Sequence, residues 1–217
     1  MDSFFLHNDS NDFPSPDSTN DDCILAIGGN LNVDTLLKAY RMGTFPWYNE
    51  GEPIVWHHPD PRFVLFPQNV KISHSMRNVI NQHRFRFSFD KNFKEVIRGC
   101  RMARRSGMPG TWITDEIEIA YTRLFKEGYA HSAEAWQNNE LVGGLYGVLL
   151  GKVFFGESMF ANESNASKFA FIKWVDVLKE NGIELIDCQI YTSHLESLGA
   201  GFISRNDFVA LLKELIP

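Results

Sequence analysis

Three groups of residues in this chain of 217 combine useful chemistry with a spacing that can exploit it. In Leu185-Ile186-Asp187-Cys188-Gln189, Asp187 and Gln189 stand two apart, so on a strand they share one face while Ile186, Cys188 and Ile190 take the other. A carboxylate beside an amide can fix that amide in one orientation and pass a proton or a hydrogen bond to a bound group. The same pair also fits a satisfied polar couple at a strand end. Glu157 lies in Gly156-Glu157-Ser158, flanked by Val153-Phe154-Phe155 and Met159-Phe160. Burying an unpaired carboxylate is costly, so Glu157 must face solvent, meet a cation or line a site. Trp47, Trp112 and Tyr121 can stack on a nucleobase, worth about 1–3 kcal/mol per base, or belong to the core.

Other signals are weaker. The glycines of Val142-Gly143-Gly144-Leu145-Tyr146-Gly147 leave room above a sheet for a ligand or a second backbone, or mark a bulge. Arg98, Arg101, Arg104 and Arg105 cluster at a helix end, where they suit the dipole; they can contact phosphate or form a solvated face. Phosphate-loop, dinucleotide and zinc-deaminase patterns are absent from the sequence. Glu196-Ser197-Leu198-Gly199-Ala200-Gly201 and Arg104-Arg105-Ser106-Gly107-Met108-Pro109 approach a coenzyme A pyrophosphate loop, but one begins with the wrong charge and the other ends in Pro. Both count against coenzyme A. Cys23, Cys100 and Cys188 are widely spaced and the 7 His are scattered, so neither a disulfide framework nor a metal site is expected, nor any cofactor. A net charge of −6 argues against a broad basic face that coats nucleic acid and leaves only a narrow contact open.

These residues need elements to hold them. The chain length fits a small domain joined to a medium one, and Pro59-Asp60-Pro61-Arg62 is the natural junction, giving units of 1–61 and 62–217. Residues 1–22, rich in Asn, Asp, Ser and Pro, read as a polar arm without secondary structure, mobile or laid against the surface. Periodicity predicts helices over 33–42, capped by Asn32 and stopped by Gly43, and over 115–126. It also places Phe93, Val96, Ile97 and Cys100 on one helical stripe. Strands follow at 84–89, 131–136, 141–150 and 152–160, the last three as an antiparallel meander. A helix ending near 179, with Phe171, Trp174, Val175 and Leu178 inward, leads to a strand at 184–190, a crossover that permits parallel pairing. A last helix is capped by Ser204. The predicted class is α+β: a small N-terminal domain followed by a domain similar to the GCN5-related N-acyltransferases, with a mixed, mostly antiparallel sheet. With 18 Phe and 5 Trp, either the core or a pocket is aromatic. No apolar run approaches the roughly 20 residues needed to span a bilayer, and no signal peptide is evident, so a cytoplasmic, non-membrane location is expected.

Nine ordered stretches together carry a resemblance: Phe45-Pro46-Trp47-Tyr48, Trp56-His57-His58-Pro59-Asp60-Pro61-Arg62, Gly110-Thr111-Trp112-Ile113, His131-Ser132-Ala133-Glu134, Gly143-Gly144-Leu145-Tyr146-Gly147, Gly156-Glu157-Ser158-Met159-Phe160, Ala166-Ser167-Lys168, Asp187-Cys188-Gln189 and Ser197-Leu198-Gly199-Ala200. Over roughly 24–212 the chain resembles the bacterial leucyl/phenylalanyl-tRNA-protein transferases. The resemblance implies a site between the two domains. In it, Asp187 orients Gln189, and Gln189 meets the reacting α-amino group or the ester. Tyr121, Leu145, Phe154, Phe171, Trp174 and Ile186 would form the aminoacyl pocket, with Glu157 at the amino-acid end. Trp47 and Trp112 would hold the terminal adenosine of the tRNA. The implied partners are aminoacyl-tRNA and proteins beginning with Lys or Arg, which transfer of Leu, Phe or Met would mark for degradation; a monomer is expected. In Ile72-Ser73-His74-Ser75-Met76, His74 replaces an expected basic residue, leaving Arg77, Arg84 and Arg86 nearby. Aminolysis of an ester needs neither ATP nor metal, and its proton can pass through an Asp187–Gln189 relay or the tRNA ribose hydroxyl. The alternatives are an acyl-coenzyme A N-acyltransferase and a non-catalytic module that binds tRNA or degrons.

Overall fold

A computed structural model describes residues 4–7, 11–20, 22–103 and 111–217. Arg104, Arg105, Gly110 and the coenzyme A-like stretch 104–109 lie outside the described residues. In the N-terminal part, β1 (Phe4–Leu6), β2 (Ile24–Gly28), α1 (Val33–Arg41), β3 (Phe45–Pro46) and β4 (Val55–His57) build a four-stranded sheet ordered β1-β2-β4-β3. The polar arm is therefore not free of structure. Phe4-Phe5-Leu6 pairs parallel to β2, Leu6 is buried, and the Phe13 ring meets Trp56 edge-on at 4.9 Å. Three apolar residues are enough for a strand when an open sheet edge is within reach, and the polar flanks hid them.

Asn32 takes the N-cap position of α1 without a side-chain cap bond; the Asn30 side-chain Oδ1 instead accepts from the Asn32 N–H at 2.9 Å and the Thr35 hydroxyl at 2.8 Å. Gly43 ends the helix at φ +78°, and a Cβ there would lie 2.8 Å from the Phe208 ring. The turn is thus pressed against the last helix, and only Gly fits.

Beyond His57 the chain enters the second sheet at β5 (Arg62–Leu65). It continues through α2 (His74–Asn81), β6 (Arg86–Phe89), α3 (Phe93–Met102), α4 (Asp115–Lys126), β7 (Ala130–Gln137), β8 (Glu140–Leu150) and β9 (Val153–Ala161). The remaining elements are α5 (Ala166–Glu180), β10 (Leu185–Gln189), α6 (Ser193–Glu196), β11 (Gly201–Ile203) and α7 (Arg205–Leu215). The seven strands lie in the order β11-β5-β10-β9-β8-β7-β6, with β10 parallel to β9 across the α5 crossover and every other pair antiparallel. The meander and the parallel return match the sequence pattern. β5 was not foreseen: directly after the Pro59-Asp60-Pro61 stretch, Arg62–Leu65 forms an interior strand between β10 and β11.

One face of this sheet packs against α3, α4 and α7 together with Tyr40 and Phe45 of the N-terminal part; the other packs against α5. Each large apolar side chain so buried contributes about 1.5–3 kcal/mol. The glycines of β8 serve this packing. A Cβ on Gly143 would lie 2.6 Å from that of Ala166, and one on Gly147, beside a register shift between β8 and β9, 2.2 Å from the Phe155 carbonyl oxygen. Their space is filled by helix and backbone. Buried Glu134 ties the opening of α3 to β7, its Oε1 accepting from the N–H groups of Lys91 at 3.0 Å and Asn92 at 2.9 Å. Among the described residues no helix is long and apolar enough to cross a membrane.

Candidate active site

The ladder between β9 and β10 stops at the pair Phe155 and Asp187, although β9 continues to Ala161 beside β8. Where the two strands part, a cavity of about 530 Å³ opens. Leu145, Phe154, Met159, Phe171 and Ile186 form its apolar wall, Glu157, Asp187 and Gln189 its polar edge, and Trp47 and Trp112 lie at another part of the lining.

The register of β10 shifts between Asp187 and Gln189, and Gln189 adopts a left-handed φ of +64°. Asp187 is fully buried and meets Gln189 through the backbone: its Oδ1 accepts the Gln189 N–H at 2.9 Å. The same carboxylate accepts from Arg62 twice, Nε to Oδ1 at 2.8 Å and Nη2 to Oδ2 at 2.6 Å. The Arg62 guanidinium lies 5.0 Å from the Phe45 ring and 4.5 Å from the Phe208 ring, so its charge is neutralised by one carboxylate and covered by two aromatic faces. No bond joins the Asp187 carboxylate to the Gln189 side-chain amide; that amide donates instead to Glu157 Oε1 at 3.0 Å.

Glu157 collects two further donors, the Tyr40 hydroxyl on Oε1 at 2.7 Å and the Tyr121 hydroxyl on Oε2 at 3.0 Å. The two hydroxyls also touch each other. The residue is only partly exposed in the cavity wall, and burial of its carboxylate lifts the pKa to about 7. The hydrogen bonds from Tyr40, Tyr121 and Gln189 oppose that rise and the charge of Asp187 adds to it. Burial and the Glu157 charge raise the phenols of Tyr40 and Tyr121 well above their usual range, which keeps both as O–H donors. The result is a carboxylate open to a cavity, surrounded by neutral donors, and able to hold or release a proton near neutrality.

Residues 64–213 match the family described as "Leucyl/phenylalanyl-tRNA protein transferase", and residues 29–60 match its N-terminal domain. The chain belongs to this family. Proteins named leucyl/phenylalanyl-tRNA–protein transferase are 52% identical over 96% of this chain and 99% of their own in Christiangramia forsetii, and 52% identical over 94% and 88% in Syntrophobacter fumaroxidans. A third, from Flavobacterium johnsoniae, is 52% identical over 93% of this chain and 95% of its own. A solved structure described as L-PGS from Bacillus licheniformis is similar with a TM-score of 0.42 and 12% identity, covering 87% of this chain and 64% of that one, a likeness too slight to carry an inference.

In this transferase-family chain the expected site residues fall into three sets. Leu145, Phe154, Glu157, Phe171, Ile186, Asp187, Gln189, Trp47 and Trp112 meet at the cavity. Tyr121 stands behind Glu157 and not on the cavity lining. Trp174 stands behind Phe154, the rings 5.5 Å apart, and also packs on Phe89 and His131. Sequence reading gave no role to Arg62, Tyr40, Met159 or His57. His57 Nε2 donates to the Trp47 carbonyl oxygen at 3.0 Å and its ring packs 5.6 Å from the indole, which steadies Trp47. Tyr40 lay on the apolar stripe of α1, where only its phenol, which needs a partner once buried, could have signalled more. Arg98 pairs with Glu95 and Glu118, and Arg101 with Asp115 and Glu118, so this pair follows the solvated-face reading. Among the described residues no group of three or more His, Cys, Asp or Glu could hold a metal ion.

Proposed function

We propose that this chain transfers a leucyl or phenylalanyl group from its tRNA to the α-amino group at the N-terminus of a protein, in the cavity between β9 and β10. The amine nitrogen attacks the ester carbonyl carbon, a C–N bond forms, and the C–O bond to the tRNA ribose breaks. The amine loses a proton and the departing ribose oxygen gains one, so no oxidant, nucleotide or metal enters the balance. Glu157 is the proton acceptor in this reading. A carboxylate titrating near 7 is matched to an α-amino group of about 7.7–8.0. Gln189 holds Glu157 and the reacting group together, so that positioning supplies much of the rate.

Leu145, Phe154, Phe171 and Ile186 take the aminoacyl side chain, with Trp174 behind Phe154 and Tyr121 holding Glu157 at the amino-acid end; Trp47 and Trp112 hold the terminal adenosine. Acceptors begin with Lys or Arg, whose cationic ends the Glu157 side of the cavity attracts. Met is a further donor, and the modified proteins are destined for degradation. The chain works as a cytoplasmic monomer with a boundary at 61/62, and its C-terminal unit is a GCN5-related acyltransferase-like domain.

The observation that carries the reading is the placement of one half-open carboxylate, with neutral donors on both oxygens, at the end of an apolar cavity. The test is transfer of radiolabelled leucine from leucyl-tRNA to a peptide beginning with Arg. Label in the peptide is the expected result. Binding of charged tRNA with no label transferred would leave a binding module, and a shift in thermal stability with acetyl-coenzyme A alone would point to the acyl-coenzyme A enzyme.

A further inference from the structure

We infer that Arg62 is a positioning residue for the transfer reaction: through its two-pronged grip on Asp187 it fixes Gln189 in the left-handed conformation that aims the amide at Glu157, and Asp187 is no part of the proton path. This rests on the reaction proposed above. The geometry has four linked parts. Gln189 has a Cβ and stands at φ +64°, a conformation that such a residue holds only when its surroundings over-determine it. What holds it is the backbone N–H, captured by Asp187 Oδ1 at 2.9 Å. What holds Asp187 is Arg62, which donates to both carboxylate oxygens at 2.8 and 2.6 Å. What holds Arg62 is the sandwich between Phe45, from the N-terminal sheet, and Phe208, from the last helix.

Each oxygen of Asp187 already faces a donor that cannot give up its proton to the reaction, a guanidinium or a backbone amide. The carboxylate is also fully buried, and none of its hydrogen bonds reaches the Gln189 side chain or the Glu157 carboxylate. A relay through Asp187 therefore has no path, whereas a clamp has every contact it needs. Lys in place of Arg62 would keep the charge and lose the planar fork that engages both oxygens at once. Gln189 would then sample other backbone conformations, and its amide would leave Glu157 for part of the time.

The experiment is steady-state transfer of leucine from leucyl-tRNA to an Arg-starting peptide by wild type and Arg62→Lys, over a range of pH, with folding checked by near-ultraviolet circular dichroism. For the folded variant, kcat should fall about tenfold or more, while KM for leucyl-tRNA stays within about twofold and the acid limb moves upward as Glu157 loses part of the Gln189 hydrogen bond that opposes its raised pKa. An unchanged kcat with only a lowered melting temperature would reduce Arg62 to a structural part and overturn the proposal. An acid limb that stays in place would show the Gln189 amide still seated on Glu157 and overturn it equally. Should the variant fail to fold, hydrogen exchange in the wild type decides: the Gln189 backbone amide, at the cavity edge, should be strongly protected, and exchange at the rate of a free amide would refute the clamp. Failure of the wild type to transfer leucine would sink the reaction itself, while the exchange measurement would still judge the clamp.

Discussion

Two acidic side chains border the same cavity and are treated in opposite ways. Asp187 is buried against a guanidinium that answers both of its oxygens, and its remaining contact is with backbone. Glu157 is buried among phenols and an amide, with no cation among the described residues bonded to it, and burial raises its pKa to about 7. Both are hydrogen-bonded, so hydrogen bonding alone does not separate structure from chemistry. The sign and fixity of the partner does. A carboxylate paired with a buried cation is held in place; one paired with neutral donors can still exchange its proton.

The largest effect expected from this contrast is at Glu157. Glu157→Gln preserves shape and can accept from one phenol, yet should lower kcat by about 100- to 10,000-fold with little change in KM for aminoacyl-tRNA. A loss of less than tenfold would erase the distinction between the two carboxylates.

On the clamp side, His58 sharpens the comparison through stability. Burial, and next to it the charge of Arg62, holds this imidazole at about 4. Its folded pKa lies below the ordinary 6.5, so the fold favours the neutral ring. That contribution is complete above pH 6.5 and is lost as the pH falls towards 4, about 3 kcal/mol in all. Urea denaturation at pH 7 and at pH 4.5 should show the loss in wild type and a smaller one in His58→Asn. Equal losses would mean that other groups drive the acid sensitivity.

Smaller effects belong to the two ends of the cavity. Trp47→Ala should raise KM for aminoacyl-tRNA roughly 10- to 100-fold, the value of one lost base stack, with kcat nearly preserved. Leu145→Ala enlarges the apolar wall and should shift the ratio of kcat/KM from leucyl- towards phenylalanyl-tRNA by about tenfold, as expected for a few methylenes. Competition assays with both charged tRNAs would read the ratio directly.

The sequence disclosed the catalytic sheet better than the N-terminal part. Phe154, Phe155 and the neighbouring alternation announced β9, and the strand, helix, strand order announced a parallel return. The short strands β1, β4 and β5 lack the polar and apolar alternation that marked the equally short β6, which is why they were not read from the sequence. The cavity residues were legible as types, because a carboxylate in an aromatic strand and an amide two residues from an acid are each unusual. Their partners were not. Arg62 stands 125 positions from Asp187, and Tyr40 117 from Glu157, distances across which a single sequence gives no pairing signal. Asp187 and Gln189 do share a face, opposite Ile186 and Cys188, but the carboxylate meets the Gln189 backbone and not its side-chain amide, because a bulge with one left-handed residue turns that amide to Glu157, and Gln gives no warning of it.

The central claim is that Glu157 titrates in the neutral range because its carboxylate is buried among neutral donors. It is tested by carbon-13 NMR of protein labelled at the glutamate carboxyl carbon, with the Glu157 signal identified by its loss in Glu157→Gln. A titration midpoint close to 7 is the expected result. A midpoint near about 4.3, the ordinary value for a solvated glutamate, would contradict the account.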